Sequence, residues 1–205
     1  MKKHYRFIWI LINLLLDSIW KLKREGENYI PSSGGVIIAS NHKAYFDPPL
    51  LGSASKREFF FLAKKELFKI GFLGWFFKKC NTIPIYRGTF DREGLVKAVD
   101  VLKRGKALVL FPEGTRIKNK GWGKPRLGVG KIALEAEVPV VPAYIYGSDA
   151  FFRSIFKSRR IKVSFGPAIE REWLKKLPKD KQGYKILVEE IMRRIKSLAF
   201  KTKLG

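Results

Sequence analysis

Short apolar runs and amphipathic stretches alternate along this sequence, and their spacing predicts its secondary structure. Runs of strand length lie at residues 36–40, 58–63, 81–88, 107–111, 138–146 and 161–165. Helices are predicted at residues 47–54, about 91–104, about 127–136, and 179 to about 203. Because strands and helices alternate through the middle of the chain, we expect a single α/β domain. Its central sheet should be largely parallel or mixed and flanked by helices.

A proline interrupts one of the predicted strands. Pro142 lies inside the run at residues 138–146, whereas Pro139 fits the start of that run. Proline has no N–H to donate to a strand ladder, so Pro142 indicates an edge strand or a bulge.

The first apolar segment, at residues 7–20, differs from the others in its flanks. Basic residues stand on both sides, and Trp9 and Trp20 lie near its ends. As a helix it would be about 21 Å long, shorter than the roughly 30 Å hydrocarbon core of a bilayer. We therefore expect residues 1–30 to form a membrane-surface helix and linker, and residues 31–205 to form the main domain. A buried helix that docks on the domain is the alternative. A signal peptide is not indicated, because no small-residue cleavage site follows the apolar segment.

Composition restricts the partners of the protein. Lys and Arg number 42 against 18 Asp and Glu, for a formal net charge of +24. Such an excess implies an anionic partner: a nucleic acid, an acidic membrane surface or a polyanionic substrate. The single Cys80 excludes an internal disulfide, and with only two histidines no metal site is expected.

A histidine and a carboxylate follow the first predicted strand. His42 comes directly after the run at residues 36–40, and Asp47 stands five residues later, before Pro48 and Pro49. Five residues of a regular helix turn through about 500°, so the pair needs a strand-to-loop turn, with Asp47 near a helix start. The carboxylate could then fix the imidazole tautomer while the other ring nitrogen takes a proton from a hydroxyl. A satisfied core histidine beside a simple N-cap is the alternative.

A second charged turn follows the strand at residues 107–111. It contains Glu113, Gly114, Thr115 and Arg116, and a basic, glycine-rich loop continues to residue 128. Open α/β sheets bind ligands at their strand ends, so this turn and His42 could share a site.

The motifs together resemble the glycerolipid acyltransferase family of the HxxxxD type, most closely its 1-acyl-sn-glycerol-3-phosphate acyltransferases. The resemblance covers roughly residues 36–142, and residues 1–35 and 151–205 carry no family motif. Its four blocks, in the order of the family, are Asn41–His42 with Asp47, residues 83–87, residues 111–116 and residues 138–142. Tyr86 stands where acidic or other residues are frequent in the family, which weakens the inference for Tyr86 but not for Arg87.

The resemblance implies a reaction and roles for the matched residues. A fatty acyl group would pass from acyl-CoA or acyl carrier protein to the sn-2 hydroxyl of 1-acyl-sn-glycerol 3-phosphate, giving phosphatidic acid without a further cofactor. His42 would be the general base, oriented by Asp47, and attack would be direct, without an acyl-enzyme. The acceptor site would comprise Arg87 and Arg116 as phosphate ligands, Glu113 ordering Arg116 or a glycerol hydroxyl, and Gly114 and Thr115 shaping the turn.

The partners implied are a lysophospholipid acceptor, the acyl donor and an anionic membrane surface. The protein is expected to be monotopic at the cytoplasmic face of the cell membrane. Residues 67–77, apolar in eight of eleven positions with lysines around them, would be either core or a wall for the acyl chain.

Three other functions stay open from the sequence. A related acyltransferase could use glycerol 3-phosphate or a lyso-aminolipid as acceptor. The charge alone would also suit a nucleic-acid-binding module, but no nucleic-acid motif is present, so no nucleic acid is expected as a partner. A non-catalytic lipid-surface protein could retain the same fold.

Overall fold

The computed structural model describes residues 3–86, 91–117, 121–150 and 161–204. The strands are β1 (Lys23–Glu25), β2 (Val36–Ser40), β3 (Phe59–Lys64), β4 (Thr82–Ile85), β5 (Ala107–Leu110), β6 (Val140–Tyr146) and β7 (Lys162–Phe165). The helices are α1 (Lys3–Trp20), α2 (Asp47–Ser53), α3 (Gly71–Lys79), α4 (Arg92–Lys103), α5 (Gly128–Ala136), α6 (Arg171–Leu174) and α7 (Lys181–Leu204). Short 3₁₀ turns lie at Glu27–Tyr29, Lys65–Lys69 and Ser148–Ala150.

Within these ranges seven strands form one mixed sheet, in the order β1-β7-β6-β2-β5-β3-β4. Neighbouring strands run parallel except β6 and β7, which are antiparallel. The prediction of a single α/β domain with a mixed central sheet flanked by helices is therefore confirmed.

Two apolar layers cover the two faces of the sheet. On one face, Leu102 of α4, Ala133 of α5 and Leu187 of α7 pack on alternate residues of the central strands. On the other face, Leu16 of α1 and Leu50 of α2 pack on the intervening residues. All five residues of β2 are buried, which explains why this strand reads as a continuous apolar run rather than an alternating one.

The expectation of an edge strand at Pro142 is wrong, whereas the alternative of a bulge agrees with the strand pairing. Pro142 belongs to β6, which pairs with β2 on one side and β7 on the other. Its carbonyl accepts the N–H of Gly166 at 2.9 Å, one residue beyond the end of β7. Pairing resumes at Val140 with Ile169, although Ala143 pairs with Phe165, so three steps along β6 oppose four along the partner segment. Pro142 therefore faces a bulge, where the regular ladder is interrupted.

The aromatic run at residues 67–77 is not one helix. A 3₁₀ turn ends at Lys69, Ile70 is extended, and α3 begins at Gly71. A Cβ on Gly74 would lie 2.2 Å from the carbonyl oxygen of Phe68, so the close approach of these two backbone segments requires glycine at position 74.

The segment at residues 1–30 also holds an edge strand that the sequence did not predict. Three polar residues, Lys23–Glu25, pair in parallel with β7, too short a stretch to give a recognisable alternation. The division of the chain near residue 30 stays a prediction. Among the described helices none combines the length and the apolar character needed to cross a bilayer.

Candidate active site

The predicted pair of His42 and Asp47 meets at the end of the central strand β2. Nδ1 of His42 lies 2.8 Å from Oδ2 of Asp47. The same oxygen accepts the backbone N–H groups of Lys43 at 2.6 Å and Ala44 at 2.8 Å. Asp47 is fully buried in the first turn of α2, so these N–H groups stabilise its charge and fix the turn. Since a carboxylate only accepts, this contact favours the neutral imidazole tautomer that has its proton on Nδ1 and Nε2 as the acceptor.

Two side chains at the second charged turn contact His42: the ring of Phe111 and the carboxylate of Glu113. Phe111 stacks on the imidazole with ring centroids 4.0 Å apart and an angle of 16° between the planes. Glu113, almost fully buried, accepts the His42 backbone N–H at 3.1 Å and the Gly123 N–H at 2.7 Å. The His42 carbonyl in turn accepts the N–H of Ile117 at 2.9 Å. The two motifs therefore form one hydrogen-bonded unit.

Glu113 was expected to order Arg116 or a glycerol hydroxyl. Among the described ion pairs none joins Glu113 to Arg116, and the oxygens of Glu113 accept backbone N–H groups of His42 and Gly123. A contact with a glycerol hydroxyl stays a prediction. In the structure its role is to hold the strand end and the following loop in place.

Gly114 and Thr115 occupy the turn between Glu113 and Arg116. Gly114 has a φ of 67°, a left-handed conformation that favours glycine, and a Cβ there would lie 2.6 Å from Cδ of Arg126. The side chain of Thr115 is exposed. The left-handed conformation of Gly114 fits a role in the geometry of the turn, and the role of Thr115 stays a prediction.

Asn41 is a buried residue of the site whose role the sequence did not indicate. Its side-chain amide donates to the Ile145 carbonyl at 3.0 Å and accepts the Ile145 N–H at 2.8 Å. The side chain thereby continues the pairing of β2 with β6 where the strand backbone turns away. This contact fixes the backbone directly before His42.

Arg116 lies in the same site, with its guanidinium carbon 3.3 Å from the centroid of the Tyr45 ring. Tyr45 belongs to the turn between His42 and Asp47. The second arginine expected here, Arg87, lies outside the described residues, so its position relative to His42 stays a prediction.

His42, Tyr45 and Arg116 line one side of a cavity of about 620 Å³. This volume is in the usual range for small-molecule sites. The rest of the wall is mostly apolar and comes from α1, α2, β3 and α3, including Trp9, Ile12, Phe61, Leu67, Phe76 and Phe77. Part of the run at residues 67–77 therefore does line a cavity beside His42.

The contribution of α1 to this wall was missed by the sequence interpretation, which weighed a membrane helix against a core helix. The indole N–H of Trp9 donates to the Ser55 carbonyl at 2.9 Å, and the buried hydroxyl of Tyr5 accepts the Phe59 N–H at 3.3 Å. One side of α1 is therefore docked on the domain. Its other side exposes Phe7, Leu11 and Leu14. The docked side agrees with the alternative of a helix packed on the domain, and contact of the exposed side with a membrane stays a prediction.

Cys80 also lines the cavity, and its thiol is the only one in the sequence. Burial disfavours the thiolate and raises the pKa of Cys80 to about 11. The group is therefore protonated at neutral pH and is a poor nucleophile.

The chain is similar to several known proteins. Residues 21–146 match the profile of a protein family described as Acyltransferase. The chain is 28% identical to the 1-acyl-sn-glycerol-3-phosphate acyltransferase of Streptococcus pneumoniae, over 97% of this chain and 74% of that protein. A protein of the same name from Bacillus subtilis is 27% identical, over 95% and 96% of the two chains.

A solved structure has the same fold. The crystal structure of the 1-acyl-sn-glycerophosphate (LPA) acyltransferase of Thermotoga maritima matches with a TM-score of 0.72 and 23% identity. The match covers 95% of this chain and 81% of that chain.

Proposed function

Since the chain belongs to the acyltransferase family, we propose that its acceptor is 1-acyl-sn-glycerol 3-phosphate and its product phosphatidic acid. The acyl group comes from a thioester, acyl-CoA or acyl-acyl carrier protein, and no further cofactor takes part. The names of the bacterial relatives support this acceptor. The observation that carries the proposal is the His42–Asp47 pair beside an apolar cavity that also contains Arg116.

His42 acts as the base in the proposed reaction. Nδ1 is held by Asp47, so Nε2 accepts the proton of the sn-2 hydroxyl as its oxygen attacks the thioester carbonyl carbon. A C–O bond forms, the C–S bond breaks, and the proton passes from Nε2 to the departing sulfur. General base catalysis contributes about 10²–10⁴-fold, so positioning in the cavity must supply much of the remainder.

The transfer is proposed to be direct. A covalent acyl-enzyme would need a nucleophile beside the base, and the raised pKa of Cys80 keeps the one thiol of the chain protonated. The apolar part of the cavity, walled by α1 and α3, would take an acyl chain.

Arg116 is proposed to bind the acceptor phosphate, because a guanidinium matches two phosphate oxygens at once. The test combines a panel of acceptors and donors with the variants Arg116→Ala and Arg104→Ala. Arg104 is a matched control directly after the end of α4, where it pairs with Asp100 at the surface. Arg116→Ala should lower kcat/KM for 1-acyl-sn-glycerol 3-phosphate roughly 10- to 150-fold, the worth of a hydrogen bond to a charged group.

The acceptor panel separates the alternatives. Monoacylglycerol, which lacks the phosphate, should show little difference between wild type and Arg116→Ala. An equal loss of kcat/KM with both acceptors would show that Arg116 does not bind the acceptor phosphate. Faster turnover of glycerol 3-phosphate or a lyso-aminolipid by wild type would replace the proposed acceptor, and no turnover with either donor would refute the proposed function.

The protein is further proposed to be monotopic at the cytoplasmic face of the cell membrane. The cavity walls α1 and α3 expose apolar side chains on their other faces, including Phe7 and Leu14 on α1 and Phe72 and Trp75 on α3. Phe72 is 78% exposed and Trp75 52%. Lysines flank them, and the net charge of +24 favours an anionic surface.

Removing the exposed aromatic residues of α3 should weaken vesicle binding. Phe72→Ser with Trp75→Ser should lower partitioning onto phosphatidylcholine–phosphatidylglycerol vesicles about tenfold or more, because each side chain loses apolar burial in the membrane. Co-sedimentation measures this, and Phe200→Ser on α7, where Phe200 is 68% exposed, is the matched control. An equal loss in the Phe200→Ser control would show that α3 is not the contact surface.

A further inference from the structure

Tyr45 and Arg116 form a contact that the proposed reaction does not yet use. The guanidinium carbon of Arg116 lies 3.3 Å from the Tyr45 ring centroid, and both residues line the cavity beside His42. Tyr45 is 76% exposed, so its ring is not there to fill the core. An exposed aromatic ring that covers a cation suggests a role for that cation.

The geometry of this contact leaves the cation free to bind. A guanidinium that stacks on a ring face keeps its N–H donors in its own plane, pointing away from the ring. A carboxylate partner would occupy those donors and cancel the charge. None of the ion pairs within the described residues involves Arg116. The ring therefore restrains the guanidinium without neutralising it.

The turn that carries Tyr45 is itself fixed by the catalytic pair. Asp47 accepts the backbone N–H groups of Lys43 and Ala44, the two residues before Tyr45, with the same oxygen that contacts His42. One short turn therefore sets both the orientation of the imidazole and the position of the ring beneath Arg116.

We propose that Tyr45 is a positioning residue that holds the Arg116 guanidinium with its N–H edge toward the phosphate of the acceptor. The inference rests on the proposed function, in which Arg116 binds that phosphate. The turn from His42 to Asp47 then fixes the distance between the base and the phosphate site, so that a bound phosphate brings the sn-2 hydroxyl to Nε2. Tyr45 contributes to recognition of a phosphate-bearing acceptor without touching it.

The test compares Tyr45→Leu, which removes the π face, with Tyr45→Phe, which keeps it. Tyr45→Leu should raise KM for 1-acyl-sn-glycerol 3-phosphate about two- to fivefold, the equilibrium effect of a cation–π contact at an exposed site. Tyr45→Phe should keep the wild-type KM, and kcat should change little in either variant. Tyr29→Leu serves as control, because Tyr29 is an exposed tyrosine that does not line the cavity.

Two further measurements separate positioning from a general structural effect. Monoacylglycerol kinetics should not respond to Tyr45→Leu, and Tyr45→Leu should add nothing to Arg116→Ala. The Arg116 Nε–H proton resonance should show a ring-current shift in wild type and Tyr45→Phe that Tyr45→Leu loses.

The outcomes distinguish this inference from the proposed function. A wild-type KM in Tyr45→Leu, an equal effect on monoacylglycerol, or additivity with Arg116→Ala would overturn the role of Tyr45 and leave the proposed function standing. Failure of wild type to acylate the phosphate-bearing acceptor would overturn both.

Discussion

Replacement of His42 by alanine should lower kcat about 10²–10⁴-fold, the usual contribution of a general base. The acceptor hydroxyl would then have to attack without a group to take its proton. KM for the acceptor should change only a few-fold, because the proposed phosphate contact at Arg116 is retained. Steady-state kinetics with 1-acyl-sn-glycerol 3-phosphate and a saturating thioester donor measure both constants.

The control for this prediction is His4→Ala, which replaces the other histidine of the sequence. The backbone contacts of residue 42 to Glu113 and Ile117 do not depend on the imidazole, so the variant should keep the fold. A thermal unfolding curve checks this. Full turnover by a folded His42→Ala protein would exclude the base mechanism, whatever the acceptor.

The substitution Asp47→Asn should also lower kcat by about 10²–10⁴-fold, although it changes only one atom. In hydrolase triads the corresponding change costs about 10⁴-fold because the imidazole adopts the wrong tautomer. Here one oxygen, Oδ2, contacts Nδ1 of His42 and also accepts the N–H groups of Lys43 and Ala44. An asparagine oxygen in its place accepts the same groups but carries no charge, so it no longer stabilises the imidazolium that forms in the reaction. An asparagine NH₂ in that place would oppose the two backbone N–H groups and would move the ring proton to Nε2.

Asp100→Asn on the surface of α4 is the matched control, since Asp100 also pairs with a cation, Arg104. Turnover and thermal stability should both be measured for Asp47→Asn, because the buried carboxylate also holds the turn. A variant with normal kcat would show that Asp47 shapes the turn without orienting the base. Loss of kcat at unchanged acceptor KM would support a role of the Asp47 charge in orienting and stabilising the base.

The contacts that the sequence predicted are those between residues close along the chain. His42 and Asp47 are five residues apart, and a strand end followed by Pro48 and Pro49 restricts the turn enough to expect their meeting. The strand and helix pattern was predictable for the same reason, since periodicity is a local property. The α/β class followed from the alternation of elements.

Contacts that depend on strand order could not be predicted. The Glu113 carboxylate meets the His42 N–H because β5 pairs with β2, and the Asn41 amide meets Ile145 because β6 pairs with β2 on the other side. Hydrophobic periodicity does not specify which strands are neighbours. For this reason the sequence suggested a ligand-facing Glu113 and gave no role for Asn41.

The sequence could not show which face of α1 packs on the domain, and the reason is different. Its apolar residues surround most of the helix, so the pattern does not tell the face that packs on the domain from the face that remains exposed. In the structure, the contacts of Tyr5, Trp9 and Leu16 with the core distinguish the two.

The candidate site consists of two parts that differ in local stability. His42 follows the central strand, which pairs on both sides and is buried along its whole length. Another part of the cavity wall comes from α1 and α3, whose outer faces are exposed. Because local opening costs least where few contacts are buried, we expect these helices to open at lower free energy than β2 does. In the proposed reaction, this wall would then admit an acyl chain without disturbing the His42–Asp47 geometry.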